Sequence, residues 1–314
     1  MSILKFTVFS DLHHHPAWYK SDAPERLAAI QQRALADKSE FLLHLGDFSH
    51  KPTAYPELIR QYKEFAIPGY FVLGNHEFDI DSYEAVLESM GLENGYYYFD
   101  HGGFRFVILD ENYFRDFPGC YFHYSERNYF DHPGFRDWMP PEEIDWLRET
   151  VKNSPYPCIL ASHAPVEYAP RETAGMKCKD EVRQIIRESQ GTPGEVILCM
   201  NGHYHRSGMD IIDGVPRLDV NSATFNWVPN PHYLYPEKEW YEKYECIGNM
   251  VIYEKPVSAQ VILNSDERSI EVIGCEGNFL HGVSTEESGN NSGSRLNTPD
   301  MISVKVKYGI QNQS

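Results

Sequence analysis

Five short apolar runs in the first 205 residues each break off into a polar tail of Asp, Asn or His. Leu4 to Phe9 ends in Ser10-Asp11-Leu12-His13-His14-His15, and Phe41 to Leu45 ends in Gly46-Asp47-Phe48-Ser49-His50. Tyr70 to Leu73 ends in Gly74-Asn75-His76-Glu77, and Cys158 to Ala161 ends in Ser162-His163-Ala164-Pro165. Val196 to Met200 runs into Asn201-Gly202-His203-Tyr204-His205-Arg206. Between the first three runs lie two stretches with helical spacing, carried by Leu27, Ile30 and Ala34 and by Leu58, Tyr62 and Phe65. Strand and helix in alternation argue for a parallel α/β sheet, and such a sheet gathers its C-terminal strand ends in one crevice where ligands bind.

Beyond these runs, Tyr96 to Asp100 and Phe104 to Asp110 flank His101-Gly102-Gly103 and read as a β-hairpin. Residues 111–139 then carry ten Phe, Tyr and Trp side chains without helical or strand period. A long loop in a compact domain is usually functional, and this one is expected to form a lid over the strand ends. Prolines and acids at Pro140-Pro141-Glu142-Glu143 open a helix bearing Ile144, Leu147 and Val151, and Val182, Ile185 and Ile186 mark another. From Met209 to Ile273 the pattern is all-β. The expected organisation is one domain over 1–282, a flexible Ser-, Asn-, Gly- and Glu-rich linker over 283–300, and a tail over 301–314 with a strand between Met301 and Tyr308.

Charge narrows the partners. The formal net charge of −18 repels long nucleic acids, while a small phosphate ester drawn in by metal ions is compatible with it. Six scattered cysteines with no Cys-x-x-Cys pair read as reduced thiols of a cytoplasmic protein. Met1 leads straight into a strand with no signal-peptide pattern, and no apolar run approaches the roughly 18 residues that a membrane span needs. Oligomeric state is encoded in none of these features.

The five polar tails supply carboxylate, amide oxygen and imidazole, and no thiolate. That donor set suits Mn, Fe or Zn in a hydrolytic site better than a structural zinc. Asp11-x-His13 and His203-x-His205 place two donors each at i and i+2, which on an extended chain point the same way. Asn75 offers a hard oxygen ligand and His76 an imidazole able to move a proton.

As a set, Asp11-x-His13, Gly46-Asp47, Gly74-Asn75-His76-Glu77, His163 and Gly202-His203-x-His205 resemble the calcineurin-like metallophosphoesterase superfamily. The resemblance implies a four-layer αββα sandwich, two mixed β-sheets flanked by helices, with two metal ions at the strand C-terminal ends. It implies that Asp11, His13 and His205 hold one metal, that Asn75, His163 and His203 hold the other, and that Asp47 bridges them. It further implies in-line attack on phosphorus by a metal-bridging hydroxide, with His76 protonating the leaving alkoxide.

Three positions after Asp47, the superfamily's protein serine/threonine phosphatases carry Asp-Arg-Gly and its purple acid phosphatases a metal-binding Tyr. This chain has His50-Lys51, which sets both aside and leaves the phosphodiesterase-type members, acting on cyclic nucleotides or glycerophosphodiesters. His14, His50 and Arg206 are candidate substrate contacts, and Asp79 either orients His76 or caps the following helix. The rival readings are a phosphomonoesterase acting on a nucleotide or sugar phosphate, and a non-catalytic scaffold. The full ligand set and His76 favour an enzyme, a metal-dependent phosphoesterase.

Overall fold

The computed structural model describes residues 3–127, 129, 135–171, 174–228, 232–291 and 295–309. The first third alternates as read: β1 (Ile3–Phe9), α1 (Ala23–Ala36), β2 (Leu42–Leu45), α2 (Pro56–Lys63), β3 (Gly69–Val72) and α3 (Tyr83–Met90). A hairpin follows, β4 (Tyr97–His101) and β5 (Phe104–Ile108), and then α4 (Pro141–Lys152), β6 (Cys158–Ala161), α5 (Lys179–Ser189) and β7 (Val196–Asn201). The last sheet strands are β8 (Gly208–Ile212), β9 (Val215–Asp219), β10 (Ala259–Asn264), β11 (Ser269–Ile273) and β12 (Val304–Lys307).

These strands form two six-stranded mixed sheets, ordered β12-β11-β10-β1-β2-β3 and β8-β9-β7-β6-β5-β4. β1, β2 and β3 run parallel in the first, as β5, β6, β7 and β9 do in the second. Period-two alternation divides the side chains between layers. Leu4, Phe6, Val8, Leu43, Leu45 and Val72 meet Phe104, Phe106, Ile108, Ile159 and Ala161 in the core between the sheets. The opposite faces, Leu42 and Phe71 on one sheet and Val107 and Leu160 on the other, pack under α1–α3 and α4–α5 respectively. Helices outside two face-packed sheets give the αββα order, with the C-terminal ends of β1, β2, β3, β6 and β7 supplying the five polar tails.

Three expectations change. Within 111–139, Tyr113–Arg115 pairs antiparallel with Tyr121–His123, strands of three residues each and too short to leave a period in the sequence. Phe130 of that segment lies outside the described residues. Residues 283–300 are not a free linker where described: Asn297 is 2% exposed, and Asn221 donates to the carbonyls of Thr298 and Asp300. Nor is the terminal strand an appendage, because β12 is the edge of the first sheet and Met301 and Tyr308 enter the inter-sheet core. Two polar side chains of the segment, Ser288 and Asn297, are spent on backbone carbonyls, a role that composition cannot separate from solvation. Among the described residues no helix is long and apolar enough to cross a membrane.

Candidate metal centre

The loops that follow β1, β2 and β7 are tight. Asp11, His13, Asp47, His203 and His205 all take left-handed backbone angles, with φ of 53°, 49°, 58°, 66° and 46°. This corrects the extended geometry expected for the Asp-x-His and His-x-His pairs. Left-handed non-glycine residues carry a cost of order 1–3 kcal/mol each and persist where their surroundings over-determine them. Here the whole set sits at one place. Gly46 turns with φ of 92°, and a Cβ there would collide with the His163 ring; a Cβ on Gly74 would collide with the Asp47 carboxylate. These two glycines let β2 and β3 bring their tails against each other.

The result is two adjoining clusters, Asp11–His13–His205 and Asp47–His163–His203, with a third group, His13–His50–His76, that shares His13; each offers donor atoms within 4.8 Å of one another. In the first, Asp11 Oδ1 lies 3.2 Å from His205 Nε2 and 3.5 Å from His13 Nε2, and the two Nε2 atoms are 3.0 Å apart. In the second, Asp47 Oδ2 lies 2.9 Å from His163 Nε2, and His163 Nε2 lies 3.3 Å from His203 Nδ1. The same Asp47 oxygen is 3.7 Å from His13 Nε2, so this carboxylate faces both clusters.

The far side of each ring decides where the protons are. His163 Nδ1 and His205 Nδ1 each lie 2.7 Å from a backbone carbonyl, of Leu45 and Phe225. A carbonyl only accepts, so both Nδ1 atoms carry hydrogen and Nε2 is the atom each ring turns to the cluster. Burial opposes the charged form of His163, but Asp47 pushes it well above its ordinary value, so without a metal its Nε2 keeps a proton towards Asp47. Burial pushes His13 down to about 4 and His203 down to about 3, with His163 adding to the shift at His203, so both rings favour the neutral form. Burial works against the two carboxylates, yet His205 and His13 hold Asp11, and His163 and His76 hold Asp47, well below the ordinary range. Asn75 is 2% exposed and neither atom of its amide has a hydrogen-bond partner. Two carboxylates, the neutral rings of His13 and His203 and an orphaned amide share one buried volume, and a metal pair that displaces the His163 proton fits that donor set.

A profile of the calcineurin-like phosphoesterase family matches residues 4–207, which contain every one of these donors. The chain belongs to this family. A dimetal phosphatase from Danio rerio shares the fold with a TM-score of 0.60 at 13% identity, over 90% of this chain and 100% of that one. GAP50, the anchor in the inner membrane complex of Plasmodium, aligns with a TM-score of 0.53 at 12% identity, over 96% of this chain and 90% of that one. No curated protein matches the chain. As a calcineurin-like phosphoesterase it is a metal-dependent hydrolase, and its His and Asp clusters accord with a dinuclear site.

Around this phosphoesterase centre the structure arranges further residues. His76 donates its backbone N–H to Asp47 Oδ1 at 2.9 Å, and its Nδ1 lies 2.7 Å from Asp79 Oδ2. Burial disfavours its charged form, but Asp47 and Asp79 outweigh burial and push it up, towards the protonated state. Of the substrate candidates, His50 enters the cluster with both ring nitrogens engaged, Nε2 2.9 Å from His13 Nδ1 and Nδ1 2.8 Å from Asp79 Oδ2. His14 Nδ1 instead meets Ser21 Oγ at 2.9 Å. Arg206 is 7% exposed and paired with Asp219 and, at 2.8 Å, with Asp210.

Glu77 is the residue that reasoning from the sequence left without a role. Its carboxylate, fully buried, accepts the backbone N–H groups of Asp47, Phe48, Ser49 and Gly74 at 3.0, 2.5, 3.1 and 2.6 Å. One side chain thereby clamps the Asp47 loop to the Asn75 loop. Its place three residues after Gly74, at the third position of a helical turn, is the capping-box signal that could have revealed it. The run 221–227, which follows a strand and could wall the pocket, does bring Trp227 to within 6.3 Å of both His13 and His205. Trp18 was missed: its ring lies 5.9 Å from that of Trp227 and 5.5 Å from His76, and nothing near it in the sequence marks it as a neighbour of the site.

Proposed function

We propose that this phosphoesterase hydrolyses a small phosphodiester, of the cyclic-nucleotide or glycerophosphodiester kind. Asp11, His13 and His205 would hold one metal, Asn75, His163 and His203 the second, and Asp47 would bridge them; Mn, Fe and Zn all suit these donors. When bound, such a pair neutralises charge on phosphoryl oxygens and acidifies water towards neutral pH. His13, His163 and His205 turn their Nε2 atoms inward through hydrogen bonds on the far side of each ring. His76 holds a proton for the leaving oxygen on Nε2, because Nδ1 is occupied by Asp79.

The observation that carries the diester reading is the state of Arg206. It follows the last ligand directly, yet Asp219 and Asp210 neutralise it, and His50 brings burial-depressed imidazole where a charged group would otherwise stand. With Arg206 neutralised in this way, a monoanionic diester is better matched than a dianionic monoester. Six unpaired cysteines support a cytoplasmic setting.

Hydrolysis of bis(p-nitrophenyl) phosphate and p-nitrophenyl phosphate by Mn-loaded protein tests the reading, with His76→Ala as control. The expected result is a diester preference in kcat/KM of at least about tenfold, lost in the variant. A monoester preference overturns the diester reading, and turnover of neither by fully loaded protein points to the scaffold.

A further inference from the structure

The segment 111–139 contributes one described aromatic ring to the edge of the metal centre. Tyr129 lies 6.3 Å from the His76 ring and 6.2 Å from the His203 ring, with its hydroxyl 3.3 Å from His203 Nε2. Trp18 also borders the proton donor, with its ring 5.5 Å from that of His76. A leaving group departing past His76 therefore has two aromatic rings within reach.

Above Tyr129 sits a guanidinium. Arg136 Cζ lies 4.0 Å from the Tyr129 ring centroid, a cation–π contact that holds the charge without neutralising it. Nη1 makes one long hydrogen bond, 3.5 Å, to the Tyr129 carbonyl, and Nε is buried with no hydrogen-bond partner. Among the described residues no carboxylate forms an ion pair with Arg136. Other described arginines do have such partners: Arg127 pairs with Asp116, Arg183 with Glu167 and Asp213, and Arg206 with Asp210 and Asp219. Arg136 shares its charge only at longer range with Asp137, so among the described residues its guanidinium is open to an anion. Leaving a buried N–H donor unmatched is unfavourable, and an incoming anionic oxygen removes that penalty.

We propose that Arg136 and Tyr129 form a subsite for a second anionic group of the substrate, carried on a planar ring on the leaving-group side of the scissile ester. This rests on the phosphoesterase reading and adds a substrate class to it: a phosphoester whose leaving group is a flat ring bearing an anionic oxygen group. Tyr129 and Trp18 face the ring, and Arg136 grips the charge beyond it.

The test separates binding from turnover. Affinities of 4-carboxybenzylphosphonate and its carboxamide twin, 4-carbamoylbenzylphosphonate, are measured by calorimetry on Mn-loaded full-length protein. Neither can be hydrolysed at its C–P bond, and the two differ only in the remote charge. The expected result is about tenfold tighter binding of the carboxylate by the wild type, a ratio near one for Arg136→Met, and a ratio between these for Arg136→Lys. Equal affinities in the wild type, a preference that survives in Arg136→Met, or no binding of either compound overturns the subsite. Because the readout is binding, failure of the protein to hydrolyse diesters would overturn the catalytic reading and leave this result standing on its own.

Discussion

Asp79 Oδ2 lies 2.7 Å from His76 Nδ1, three residues earlier in the chain. The same oxygen lies 2.8 Å from His50 Nδ1, and His50 passes the contact to His13 through its Nε2 at 2.9 Å. With Asp79 as acceptor, His50 carries hydrogen on Nδ1, accepts on Nε2, and leaves His13 to donate from Nδ1 and to present Nε2 to the metal cluster. One carboxylate thus sets the proton position on the general-acid candidate and on a ligand of the first cluster.

Asp79→Asn is expected to lower kcat by roughly 10–100-fold with a smaller change in KM. The pH profile gives the sharper check. Asp79 and Asp47 both push His76 up against burial, and activity that needs protonated His76 is lost as pH rises through its pKa. Removing the Asp79 charge lowers that pKa, so the alkaline limb of the kcat profile should move to lower pH. An unmoved limb would take His76 out of the acid role.

Glu77 is a stability residue with a functional readout. Glu77→Gln replaces one acceptor oxygen by an NH2 group that faces backbone donors, in a site where the carboxylate takes four N–H groups. The expected loss is about 3 kcal/mol in urea unfolding, from unsatisfied buried donors. The variant should also retain less metal after dialysis, because the Asp47 loop is what the clamp holds.

The fold and the clustering of the candidate ligands were legible because both are periodic or local. Apolar runs of four to six residues ending in Asp, Asn or His announce strand ends, and parallel strands bring their ends together. Asp79 was legible as one of two alternatives, since a contact between His76 and a residue three positions on is local. Glu77, Trp18 and Arg136 were not legible in their roles. Their partners lie 28 to 30 residues away for the Asp47 loop clamped by Glu77, and 209 residues separate Trp18 from Trp227. The same holds for Arg206, whose neutralisation by Asp219 comes from the adjacent strand β9. Sequence shows the charge of such residues and conceals the packing that cancels or frees it.

Glu143 supplies a pH signature independent of the metal centre. It is fully buried at the start of α4, one oxygen accepting the Asp110 N–H at 2.8 Å and the other without a partner. Burial, then Asp110, pushes its carboxyl well above the ordinary range. The folded chain therefore keeps a proton that the unfolded chain releases above the usual glutamate pKa. Stability contributed by this group is complete at low pH and falls as pH rises towards the folded-state pKa, by about 1.4 kcal/mol per pH unit for one proton. Glu143→Gln keeps the accepting oxygen and removes the titration, so urea midpoints measured as pH rises above the usual glutamate pKa should fall less steeply in the variant.

Asn75 separates a ligand from a structural residue. A buried asparagine that served the fold would have hydrogen-bond partners, and its truncation would cost the metal-free protein stability. Neither amide atom of Asn75 has one, so Asn75→Ala should change the unfolding free energy of chelator-treated protein by less than about 1 kcal/mol or raise it. The effect is expected instead with metal present. Wild-type protein should gain thermal stability as Mn is titrated back, since an ion that binds only the folded chain stabilises it by mass action. The variant should gain less and hold about one ion fewer per chain by elemental analysis, with His163 and Asp47 left as incomplete ligands of the second metal. An Asn75→Ala protein that loses stability without metal and keeps a full complement of ions would assign this residue to the fold and remove it from the site.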